Sequence, residues 1–239
     1  MKKTKREHNS QNEPSIAELA VQLNFKPVNE ELFEIAFTHS SYSYESNVPH
    51  NERLEFLGDS VLALIVCQYL YQHYPDYPEG KLAQLKSTLV STSVLAGFAE
   101  KLQLNRFLRL GEGERKTHGS QKRKILEDLF EAFLGAYYLN FGLEATIKFV
   151  LPLIEECLPE IMRQAEAINA KSLLQELTQT KGIVPEYRLV NEEGPPHNRT
   201  FTVEVYLGRE KYGQGSGKTL KEAQSHAALE AIGTLKKHK

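Results

Sequence analysis

The sequence predicts two domains in series: an all-helical one over residues 15–160, then a small α+β domain of α-β-β-β-α order over residues 170–237, with residues 161–169 as a polar helix or linker. Three observations carry this. Apolar residues recur every three or four positions from residue 15 to about residue 168, the period of a helix with one buried face. Near residue 200 the period becomes two, because Phe201, Val203, Val205 and Leu207 alternate with Thr202, Glu204 and Tyr206. Charge shifts at about the same place: residues 170–239 hold 11 Lys and Arg against 8 Glu and no Asp, and the residues before them hold 18 against 23 acidic groups.

Taken in order, Ser15 and Glu18 have the spacing of a capping box at the first helix. Helical periodicity then runs through Leu54–Tyr71, Leu82–Leu102, Ile125–Tyr138 and Leu143–Leu158. After the polar stretch PEIMRQAEAINA, a helix is expected over Lys171–Gln179 and a strand over Glu186–Val190. A turn-rich loop (Asn191–Asn198), a strand (Thr200–Leu207), a short third strand near Lys211 and a helix (Leu220–Leu235) complete the pattern.

Composition places few limits beyond this. With 41% hydrophobic and 25% charged residues in 239, the chain is of ordinary globular make-up and is expected to be soluble and folded. Cys67 and Cys157 lie far apart in apolar helical surroundings and read as buried reduced thiols rather than a disulfide or metal site. The basic start is not followed by the 7–15-residue apolar core of a signal peptide, and the longest apolar run, Val61 to Cys67, is too short to span a bilayer. A cytoplasmic protein without a membrane partner is expected.

The chemistry concentrates in NERLEFLGDSVLAL, residues 51–64. On a helix Glu55 and Asp59 share a face while Leu54, Leu57, Val61, Leu62 and Ile65 can be buried. Like charges four apart repel by a few tenths of a kcal/mol even when exposed, and by more beside an apolar surface. A second pair, Asp128 and Glu131, sits three apart in KRKILEDLFEAFLGAYY. Two greasy helices packed together can converge four carboxylates on a hard divalent cation, and all-oxygen ligation suits magnesium or manganese. The bland alternative is that the carboxylates are solvated or partner Arg53 and Lys124. Two such pairs together favour ligation, and Glu52 and Glu127 thicken the acidity so that not every carboxylate need be a ligand.

HNERLEFLGDSVLAL resembles the signature of the ribonuclease III endonuclease domain. AFTHSSY (Ala36–Tyr42), YPEGKLAQLKSTLVS (Tyr77–Ser91) and ILEDLFEAFLGAYYLNFG (Ile125–Gly142) resemble the family's other blocks in order and spacing, so that the resemblance spans about residues 15–236. It implies that Glu55, Asp59, Asp128 and Glu131 ligate metal, that Asp59 and Glu131 are catalytic, and that Glu52 and Glu79 are secondary acidic positions. The implied reaction is hydrolysis of double-stranded RNA by water activated at magnesium, with manganese as substitute, leaving 5′-phosphate and 3′-hydroxyl ends with short 3′ overhangs. No paired histidines point to attack through the 2′-hydroxyl. The resemblance further implies a homodimer in which Phe56 enters the partner's surface, and processing of ribosomal-RNA precursors and other structured RNAs.

In the second domain Ser172, Gln175, Glu176 and Gln179 form a polar stripe, while Leu173, Leu174 and Leu177 can face the sheet. AKSLLQELTQ resembles the first helix of a double-stranded RNA-binding domain, whose stripe reads 2′-hydroxyls in the shallow minor groove. The same resemblance puts Pro196 and His197 of EEGPPHNRTF at the RNA, and Lys218 and Lys221 at phosphates. In GSGKTLKEAQSHAALEA, Thr219 and Glu222 have capping-box spacing, and Ala223, Ala227, Ala231 and Leu235 make a ridge to be buried. There is one departure. Where the family has Lys-Lys-x-Ala-Lys, this chain has Leu220, Lys221, Glu222, Ala223 and Gln224, so two cations are missing and weaker binding is expected.

Two other classes of function are consistent with parts of the sequence. GSGKT invites comparison with a nucleotide-binding loop, but that motif requires glycine at position 212, where Tyr212 stands, and only about 20 residues follow. No nucleotide cofactor is expected. A protein that grips RNA without cutting it would not need all four carboxylates.

Overall fold

The computed structural model describes residues 14–179, 182–195 and 198–237, and the chain divides into two compact units between Cys157 and Leu158. In the first unit, helices α1 (Ile16–Gln22), α2 (Glu30–Ala36) and α3 (Ser40–Ser46) precede the long α4 (Glu52–His73). Then come α5 (Glu79–Leu89), α6 (Thr92–Lys101), α7 (Glu112–Lys116) and α8 (Arg123–Gln179). α8 is interrupted at Gly142, whose φ of 77° only glycine adopts without strain. Ser15 caps α1 by accepting from the Glu18 amide at 3.3 Å.

The core of this unit is aromatic. The Phe133 ring on α8 lies 5.7 Å from Phe33, 6.2 Å from Phe37 and 5.5 Å from Phe149, distances at which tilted rings attract. By length and composition α4 could cross a membrane, yet Leu54, Val61, Leu62, Ile65, Val66 and Leu70 are packed inside the unit, which makes it a core helix.

Two expectations change here. Leu82–Leu102 is two helices rather than one, because Ser91 is extended (ψ 151°) between α5 and α6. The run Ser87, Thr88, Val90, Ser91, Thr92 is β-branched or hydroxylated, and such residues lose rotamer freedom in a helix or bond its backbone; Thr88 donates to the Gln84 carbonyl at 3.1 Å. Cys67 is exposed, not buried, since it lies off the face that carries Val66 and Leu70; Cys157 is half-buried, and both are free thiols. Residues 161–169, expected as a polar helix or linker, are helical, within α8.

The second unit holds the end of α8, strands β1 (Pro185–Glu193), β2 (Thr200–Leu207) and β3 (Glu210–Gly217), and helix α9 (Leu220–Lys237). The sheet is antiparallel in the order β1-β2-β3, and Val203, Val205 and Leu207 pack against Ala223, Ala227, Ala228, Ala231 and Ile232 of α9. Of the leucines expected to face the sheet only Leu174 does. Ala170, Leu174 and Thr178, four apart, form the buried stripe, and Leu173 and Leu177 are exposed.

β1 and β3 are longer than expected, and β3 is long for a specific reason. Glycine is poor in strands, so GQGSG reads as loop. Gly213, Gly215 and Gly217 all face α9, where an added Cβ would fall 2.4 Å from the Ala227 carbonyl, 2.2 Å from the Ala227 amide and 2.8 Å from the Ala223 amide. The alternating glycines let the strand lie directly against the alanine ridge. GSGKT is therefore the end of a strand and a helix cap, not a phosphate loop.

Candidate metal centre and RNA-facing surface

Two glycines build the site. A Cβ on Gly58 of α4 would fall 1.8 Å from the Glu131 carbonyl oxygen, and one on Gly135 of α8 would fall 2.3 Å from that of Leu54. The helices therefore cross backbone against backbone, closer than any side chain permits. Glu55 and Asp59 flank Gly58, and Asp128 and Glu131 lie within two turns of Gly135, so the crossing brings the carboxylates together.

Carboxylate oxygens of Glu55, Asp128 and Glu131 lie within 4.8 Å of one another. Asp59 stands outside that tight group but lines the same open cleft of about 520 Å³, with Glu52, Phe56, Lys124 and Glu127. Glu131 is 6% exposed, and its carboxyl is pushed up to about 8 by burial first and then by the charges of Asp59, Glu127 and Glu55. Glu55 is raised for the same reasons, burial leading and Asp128 next. The Lys124 ammonium lies 2.7 Å from Asp128 Oδ1 and 3.1 Å from Glu127 Oε2; these are ion pairs by distance, although neither buried oxygen has a well-aligned hydrogen bond. A set of hard oxygen donors, crowded until two resist ionising, fits a divalent cation.

Since the glycine crossing sets these distances, Gly58→Ala is expected to push the helices apart. It should cost about 1–3 kcal/mol of stability, as overpacking does, and lower the cleavage that the resemblance implies about 10²-fold through misplacement of order 1 Å. Thermal unfolding and a duplex-cutting assay check both. Wild-type values in both would show that the contact is not limiting.

The other expected residues are placed as follows. Glu52 is exposed on the cleft rim, 3.8 Å from His50 Nδ1, while Glu79 opens α5 and does not line the cleft. Phe56 is 77% exposed and so is not a core residue; Leu64 (52%), Cys67 and Tyr71 (76%) continue its stripe along α4. Ser172, Gln175, Glu176 and Gln179 are exposed on α8. Lys221 is exposed, whereas Lys218 Nζ donates to Asn198 Oδ1 at 2.8 Å and Thr200 Oγ1 at 3.3 Å, tying the β1–β2 loop to the start of α9. Pro196 and His197 lie outside the described residues. Thr219 Oγ1 accepts from the Glu222 amide at 3.1 Å, and Glu222 answers by accepting from the Lys218 amide at 2.8 Å. At the cation-poor position Gln224, the side chain accepts from Lys171 Nζ at 2.7 Å, so α8 delivers an ammonium there.

The chain is similar to known proteins along most of its length. A family described as "Ribonuclease-III-like" matches residues 29–157, and one described as "Double-stranded RNA binding motif" matches residues 170–235. Ribonuclease 3 of Treponema denticola is 45% identical over 216 residues, 89% of this chain and 87% of the relative. Ribonuclease 3 of Enterococcus faecalis is 46% identical over 217 residues, covering 88% and 92%. Among solved structures, the nuclease domain of ribonuclease III from Campylobacter jejuni is 36% identical with a TM-score of 0.57, covering 61% of this chain and 99% of that one.

Proposed function

Since this chain belongs to the ribonuclease III family and is an endonuclease of double-stranded RNA, we propose that Glu55, Asp59, Asp128 and Glu131 hold its magnesium, with Asp59 and Glu131 nearest the chemistry. The observation that carries this is the convergence of Glu55, Asp128 and Glu131 within 4.8 Å at the crossing of α4 and α8. Bound there, the ion supplies Lewis acidity toward water and the scissile phosphodiester, and manganese suits the same all-oxygen donors. Burial and the neighbouring carboxylates raise the Glu131 carboxyl to about 8, so it would give up a proton on taking a divalent cation. Asp59 and Glu52 are exposed residues of the cleft lining and would orient what approaches. With water as nucleophile the products carry 5′-phosphate and 3′-hydroxyl ends with short 3′ overhangs.

In the second unit, taken as residues 170–237 beyond a 161–169 connection, Ser172, Gln175, Glu176 and Gln179 meet the minor groove, and Lys218 and Lys221 meet phosphate. The Campylobacter jejuni structure is described as having a region involved in dimer formation. The exposed stripe Phe56, Leu64 and Tyr71 supports the same assembly here, a homodimer of two cutting sites. We assign the protein to the cytoplasm, with precursors of ribosomal RNA and other structured RNAs as substrates.

A chain ending at residue 168 tests the division of labour. It is expected to cut long duplex RNA poorly at physiological salt and to recover at low ionic strength, where phosphate contacts from the helical unit suffice. An unchanged salt profile would show that the second unit is not a substrate clamp. Duplex retained uncut by the full chain in magnesium would make it a binding protein.

A further inference from the structure

We propose that Lys124 is the resident counter-cation of the acidic cleft: in metal-free protein it sits on Asp128 and Glu127, and an incoming divalent cation must displace it from Asp128. This rests on the reading of the four carboxylates as the metal site. Glu52, Glu55, Asp59, Glu127, Asp128 and Glu131 crowd one cleft and crossing, and among the described residues that line the cleft Lys124 is the cation. Its Nζ stands 2.7 Å from Asp128 and 3.1 Å from Glu127.

Local helix chemistry gives only a weak reason for a lysine at this position, its pairs three and four residues on with Glu127 and Asp128. Position 124 is in the first turn of α8, where the helix dipole disfavours positive charge. A lysine four residues before an acid is also the weaker orientation of such a pair. A residue that breaks the local rule is held by something else, and here that is the acidic cleft. The geometry then makes Lys124 and the metal alternatives at Asp128. With an ammonium 2.7 Å from Asp128 Oδ1, a metal on the same carboxylate would stand a few ångströms from a like charge, and that repulsion favours one at a time. Glu127 is the seat that remains: its carboxylate is buried beside Lys124 and lies outside the tight trio. Lys124 therefore raises the metal concentration the site needs and offsets the repulsion among the cleft's own carboxylates.

The full chain without RNA is titrated with manganese alone, free ion being counted by electron paramagnetic resonance. Lys124→Met, which keeps an apolar stem and removes the charge, is expected to tighten binding about tenfold, since a like charge a few ångströms away is gone. It is also expected to lower the metal-free melting temperature and enlarge the rise on adding metal. Arg123→Met is the control, because Arg123 donates to Ser93 at 2.8 Å and has the same formal charge without touching the carboxylates. Lys124→Gln replaces the methionine variant if that one folds poorly. Equal tightening by both positions would mean a diffuse field and overturn the proposal, as would unchanged or weaker binding in the Lys124 variants. If wild type and Asp59→Asn/Glu131→Gln bind manganese alike, the carboxylate site itself is wrong, and the role of Lys124 falls with it.

Discussion

Glu131→Gln and Asp59→Asn are each expected to lower cleavage of duplex RNA at least about 10²-fold in dilute magnesium, the scale on which removing one charge-stabilising group acts in a preorganised site. Binding of duplex without metal should survive, because the RNA-facing groups proposed on α8 and α9 lie elsewhere in the chain. Near wild-type cutting by either variant would remove the four-carboxylate site. Glu131 also offers a test that does not depend on activity. Its carboxyl is raised from an ordinary 4.5 to about 8, so the native state holds a proton that the unfolded chain gives up. The stabilisation is fully present below about pH 4.5 and is lost as pH rises through about 8. Gln carries no charge at any pH. Metal-free Glu131→Gln should therefore gain stability over wild type between pH 5 and pH 9, and the gap should close when magnesium is added. Parallel melting curves across that range would show that Glu131 is not the strained group.

The parts of this site legible in the sequence were those set by spacing along one helix. Glu55 with Asp59, and Asp128 with Glu131, announce a shared face because the helical period is fixed. That the two faces meet depends on Gly58 and Gly135, which a linear reading weighs as helix weakeners. Their role exists only where two backbones touch. Gly213, Gly215 and Gly217 are the same case in the second unit: poor strand formers alone, required once Ala223 and Ala227 lie beneath them. Glu127 and Lys124 were visible as local charge, but their seat in the cleft was not, because whether a charged side chain points to water or to a neighbouring helix is decided by packing. The rotation of the first helix of the second unit was likewise open. LLQEL offers three leucines and the fold buries Leu174, the one in step with Ala170 and Thr178. The break at Ser91 was present as a run of weak helix formers within a strong apolar period, and propensity decided it there.

Mixed dimers of wild-type and Glu131→Gln subunits are expected to nick duplex RNA on one strand. The proposed ligands Glu55, Asp59, Asp128 and Glu131 all lie on α4 and α8 of a single chain, so each subunit would carry a full ligand set and one defective subunit would silence one cut. Phe56 is adjacent to Glu55 and lines the same cleft, yet it is exposed and begins the apolar stripe through Leu64 and Tyr71. A surface of that kind on a helix that is otherwise core gains by being covered, and covering it with a second copy places the two cleft mouths on one assembly. Ligands shared across the interface would instead lose both cuts in the mixed species. A monomeric enzyme would give ordinary double cutting in proportion to its wild-type fraction. Denaturing gels that resolve the two labelled strands separate these outcomes, and Phe56→Ala supplies the converse, since it should shift the protein toward monomer at micromolar concentration and leave the carboxylates in place. Double-strand products alone from the mixed species would exclude the paired arrangement, whatever the mass of the protein in solution.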